Sequence, residues 1–218
     1  MGDPEHARAN RRLAHRSLCD VTAALASSHE TAAAGPAAAI TVAMAAALTA
    51  KVARATRTSW VESGGAIAGA ESLRAQAEAL IDLDVDAFRE ARAALVRTHP
   101  NASARGGPTG PGAVPLPAHD TGQRMTQTLL RAADVPLAIA EVARDIADVA
   151  LEVVPHSERD QRPDVLVAVT LAAAGARTAA TLVRVNRALE PDDPRAARAA
   201  AAAQAADAAE ASAYRLRG

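Results

Sequence analysis

Between Glu30 and Thr56 the chain reads ETAAAGPAAAITVAMAAALTAKVARAT, and from Ala32 to Ala50 it carries no charge. A run this long and apolar has two outcomes, a membrane span or a helix enclosed by other helices. Composition separates them. The run is mostly alanine with Gly35, Pro36, Thr41 and Thr49, it lacks the Leu, Ile and Phe density that drives insertion, and no aromatic belt flanks it. The expectation is a buried helix that starts near Gly35-Pro36, where proline suits the first turn, and ends at about Thr56.

The rest of the chain extends the point. It has one Trp, one Tyr and one Phe, and its commonest apolar residue is the best helix former. The fold class is therefore all-α, a multi-helix bundle with orthogonal or up-down packing. Thin alanine side chains bury little area each, so the helices must approach closely, and a homodimer is expected to supply the remaining area. A net charge of −1 gives no basis for nucleic acid or an anionic membrane as partner. The single cysteine, Cys19, suits a reducing, cytoplasmic setting, and the opening MGDPEHARANRRLAHRSL is too charged for a signal-peptide core. Six scattered His and one Cys show no ligand spacing, so no metal is expected.

Periodicity and breakers divide the chain. A first helix is expected from about Pro4 to Ser28, carrying Leu13, Leu18, Val21 and Leu25. A third starts at ESGGA, Glu62 to Ala66, and runs to about Arg97. HPNASARGGPTGPGAVPLP, residues 99–117, reads as a loop. A fourth helix spans about Asp120 to Val154 with Pro136 as a kink or break, and a fifth about Asp164 to Leu189. Asp193 before Pro194 is the expected N-cap of an Ala-rich final helix to Arg215. One helical domain over residues 1–218 is expected, with 191–218 as its C-terminal Ala-rich helix.

One residue breaks the pattern. Leu73, Ala77, Leu80, Asp84, Ala87, Ala91 and Leu95 form one helical stripe, with Phe88 bordering it, and Asp84 stands in the middle. A buried carboxylate is costly, so it needs a partner or a task. The plain alternative is an ion pair with an Arg of another helix, or a cap on a neighbouring backbone. Asp82 and Asp86 are expected on a solvated face. Asp164, just after Pro163, suits the first turn of its helix. Arg177 and Arg184, seven apart, share a face; an anionic ligand or plain solvation accounts for them.

Taken in order, four stretches resemble the cyclodeaminase/cyclohydrolase family of folate one-carbon metabolism. SLCDVTAALASS precedes AAAGPAAAITVAMAAALTAKVARAT, where the family has a Pro-Gly-Gly-Gly-Ser turn leading into an Ala-rich helix. Leu80, Asp84, Ala87 and Phe88 match a Leu-x-x-x-Asp-x-x-Ala-Phe pattern, and Val135, Pro136 and Leu137 match a Val-Pro-Leu stretch. In PDVLVAVTLAAAGARTAATLVRVN, Asp164, Gly175 and Asn186 match Ser-Asp, Gly-Ala and Ile-Asn. The resemblance covers about residues 15–190. It implies an all-helical dimer acting as a formimidoyltetrahydrofolate cyclodeaminase or a methenyltetrahydrofolate cyclohydrolase. It implies Asp84 and Asp164 as catalytic carboxylates, with Gly35, Arg177, Arg184 and Asn186 binding the small-molecule folate, and neither a metal nor a redox cofactor. Ala32-Ala33-Ala34-Gly35-Pro36 replaces the glycine turn, PHSERDQRP replaces an Asn-rich stretch, and Leu182 stands where an Asn is expected. Those departures suit the alternative, a non-catalytic helical dimer of the same fold that binds a ligand or partner.

Overall fold

The computed structural model describes residues 12–28, 34–98, 118–185 and 192–216. Among these a 3-10 turn, Leu13–His15, precedes α1 (Leu18–Ala26), α2 (Ala34–Ala55), α3 (Ser63–Thr98) and α4 (Ala118–Val153). A second 3-10 turn, Val154–His156, leads to α5 (Arg162–Val185) and α6 (Pro194–Arg215). No strand occurs among the described residues. The expected loop at 99–117 and the expected end of the fifth helix beyond Val185 lie outside them.

The Ala-rich run is the centre of the bundle. α2 lies against α3, α4 and α5, and Ala39, Val42, Ala45, Ala46, Thr49 and Ala50 are fully enclosed. By length and composition both α2 and α5 are apolar enough to cross a membrane; here α2 is wrapped by helices instead. Alanine and glycine set the close spacing. A β-carbon on Gly175 of α5 would stand 2.5 Å from a Val42 methyl of α2, so no larger residue fits at this contact.

Side-chain pairs fix the directions. Gly35 meets Asp84 and Arg54 meets Glu71, so α2 and α3 run antiparallel. Lys51 meets Asp164 and Val42 meets Gly175, so α2 and α5 do likewise. α6 caps the far side through a stripe of Ala199, Ala202, Ala206, Ala209 and Ala213, with Arg195 on Asp134 at 2.6 Å and Arg198 on Glu141 at 2.6 Å. The Asp193 carboxylate accepts the Arg195 N–H at 2.8 Å, the expected N-cap. Helix α4 continues through Pro136, so the proline does not break it.

Two expectations change. The described part of the segment expected as one helix from Pro4 to Ser28 is instead a 3-10 turn, an extended step at Arg16 and Ser17, and the short α1. The cause is local competition. Ser17 Oγ accepts the Asp20 N–H at 3.2 Å and donates to its carboxylate at 2.6 Å, which starts a new helix there. The Leu13 N–H donates to Asp82 of α3 at 2.7 Å. Asp82 is therefore half-buried and pins the N-terminal turn, which corrects its expected place on a solvated face. Asp86 is exposed beside Arg89, as expected.

Candidate active site

α3 is much longer than α2, and α2 begins against its middle. At that point the first turn of α2 meets the anomalous carboxylate. A β-carbon on Gly35 would stand 2.2 Å from the carboxyl carbon and both oxygens of Asp84. Glycine leaves room here for the carboxylate, which any side chain at this position would have to push aside. Pro36 follows, buried, and removes one donor from the helix start.

Asp84 is partly buried and, among the described residues, has neither a hydrogen-bond nor an ion-pair partner. Desolvation alone acts on it, raising its pKa from 3.8 to about 6. The ion pair with an Arg of another helix, expected as the plain alternative, is absent among those residues. A carboxyl group with this pKa is available both as acid and as base close to neutral pH.

The other expected site residues separate along the bundle. Asp164 receives the Lys51 ammonium at 2.6 Å, sixteen residues along α2 from Gly35. At helical rise this puts it about 24 Å from the Asp84 end. Within one chain the two carboxylates do not meet. Arg177 is held by Asp207 and Glu210 of α6, the latter at 3.5 Å, and those acidic partners raise its pKa. Arg184 is different. Val42 faces Gly175, so stepping back to Gly35 brings α5 forward to about Leu182, and Arg184 falls at the Asp84 end. It is exposed and has no ion pair among the described residues. Asn186 lies outside them.

A groove of about 350 Å³ opens beside the same α2–α3 seam, lined by Leu13, Met44 and Ile81 with the Arg74–Glu78 pair, 2.5 Å apart, at its wall. Asp84 is not on its lining, though Ile81 stands one turn away. Two residues carried no sequence signal for the places they take. Lys51 is 113 positions from Asp164, and Phe88, which only bordered the stripe, is half-exposed one turn beyond Asp84.

Among the described residues, the fold and the site together define a helical bundle with a desolvated carboxylate seated, without a partner, on a helix-start glycine. A family model described as formiminotransferase-cyclodeaminase matches residues 17–106 and 113–211, and the chain belongs to that family. Its fold is similar to that of a solved formiminotetrahydrofolate cyclodeaminase from Thermotoga maritima, with a TM-score of 0.71, 20% identity and 93% of each chain covered. The sequence matches no curated protein.

Proposed function

We propose that this protein is a folate one-carbon enzyme of the cyclodeaminase type, cytoplasmic and homodimeric, with Asp84 as its acid–base group. The observation that carries the reading is the Asp84 carboxyl, without a partner among the described residues and held against Gly35 with a pKa of about 6. In cyclodeamination the N10 amine attacks the formimidoyl carbon on N5. The new C–N10 bond closes the ring, the bond to the terminal nitrogen breaks, and ammonia leaves. Overall, N10 loses one proton and the leaving nitrogen gains two, the second drawn from solvent, so the methenyl product is a cation. A single carboxyl that both accepts and gives a proton near neutral pH meets that demand. The same group serves the cyclohydrolase reaction, in which water opens the ring. Arg184, exposed at this end, suits the carboxylates of the folate tail. Asp164 and Arg177 have no part in this reading, because Lys51 and α6 occupy them at other levels of the bundle.

The second reading is a non-catalytic helical dimer that binds a ligand or partner. The observation favouring it is the helix start itself, where Ala34 and Pro36 flank a single glycine and Pro36 lacks an N–H. Calorimetric titration with 5-formyl-tetrahydrofolate, alongside a methenyl-tetrahydrofolate absorbance assay, separates the two. Saturable heat with turnover supports the enzyme. Binding without turnover supports the scaffold, and no heat removes folate from both.

A further inference from the structure

Beyond Asp84 the inner face of α3 stays covered, with Val85, Ala91 and Ala94 buried, but one large apolar residue does not share that cover. α2 starts at Ala34 and meets α3 at Asp84, but α3 continues to Thr98. The next residue on that face, Phe88, is the only Phe in the chain and is 47% exposed. Its neighbours Val85 and Ala91 are buried. Leaving an aromatic ring half in water forgoes burial that Ala77, Leu80 and Ala91 of the same stripe take.

We propose that Phe88 is the platform on which the flat heteroaromatic end of the ligand stacks, leaving Asp84 one turn earlier free for the proton transfers at the N5–N10 bridge. The proposal rests on the folate reading above and assigns it a specificity residue. The i,i+4 spacing places the two side chains on one face, roughly 5–6 Å apart at their β-carbons. An aromatic face takes a flat ring in offset stacking. The platform therefore favours a planar ring, which an aliphatic or purely anionic ligand does not offer.

The test is calorimetric titration of the full chain and its Phe88→Leu and Phe88→Tyr variants. The two probes are 5-formyl-tetrahydrofolate and p-aminobenzoylglutamate, the tail without the bicyclic ring. Leu should weaken 5-formyl-tetrahydrofolate on the order of 10–100-fold, the usual worth of a base–aromatic stack, and Tyr should restore it. All three proteins should treat p-aminobenzoylglutamate alike. Unchanged binding of 5-formyl-tetrahydrofolate by the Leu variant overturns the role of Phe88 and leaves the folate reading standing. Equal losses for both probes, or a Leu variant that melts well below the parent, assign Phe88 to packing and overturn the proposal. A parent that gives no heat with 5-formyl-tetrahydrofolate sinks the folate reading and the platform together.

Discussion

Asp84 and Gly35 act as a unit, and each predicts the behaviour of the other. Below pH 3.8 the Asp84 carboxyl is neutral in both folded and unfolded chains. Between 3.8 and about 6 the unfolded chain ionises first, so stability falls as pH rises through the raised folded value. Above 6 the folded state carries a desolvated charge costing up to about 3 kcal/mol. Asp84→Asn should therefore be more stable than the parent at pH 7.5, with the gain vanishing near pH 3.8, as urea melts at the two pH values would show. The same variant should lose turnover on the order of 10²–10⁴-fold. Had the carboxylate been half of a buried ion pair, the substitution would instead cost about 3–5 kcal/mol. For Gly35→Ala, the new methyl must displace the carboxylate, which can turn toward water. The Asp84 pKa should drop back toward 3.8, read by a carboxyl NMR titration. An unmoved value would show that the contact with Gly35 does not hold the group.

Helices meet here through small residues, so added volume is felt at once. Gly175→Ala sets a methyl 2.5 Å from the Val42 side chain at the α2–α5 crossing. It should cost about 1–3 kcal/mol. Adding Val42→Ala should return part of that loss, and strictly additive losses in thermal melts would place the clash elsewhere. Arg177→Gln tests the α5–α6 pairing. Its partners Asp207 and Glu210 sit at a largely exposed edge, so the loss should stay within about 1 kcal/mol. Folate affinity should not change, and a tenfold loss of affinity in calorimetry would return Arg177 to the ligand site. The helix ends themselves followed from punctuation that is local in sequence: Gly35-Pro36, ESGGA and Asp193-Pro194. In the first segment the local Ser17–Asp20 cap starts a new helix, and only the Leu13 N–H takes an acceptor that lies far off, 69 positions away.

For the whole molecule, the proposed homodimer follows from thin side chains that bury little area within one chain. Leu18, Val61, Leu83 and Val185 remain exposed, which is apolar surface a second copy can cover. Light scattering at micromolar concentration should give twice the mass of one chain. A single-chain mass that does not rise with concentration would count against the dimer.

What the sequence determined by itself is what periodicity and composition can encode: an all-helical chain, a central alanine helix, and one carboxylate on an apolar stripe. Those signals are local, since a 3.6-residue repeat or a Gly-Pro pair needs no knowledge of any neighbour. The tertiary structure decided everything that depends on register between helices. Sliding α2 one turn along α3 would take Gly35 away from Asp84, and no residue type in either helix announces that alignment. The same is true of Lys51 against Asp164 and of α6 against Arg177, pairs that chain separation hides. It holds for Phe88 too, whose exposure is set by the packing around α3 and not by its residue type. Helices are written in the order of residues, whereas a site is written in the distances between helices, and these exist only once the side chains have packed.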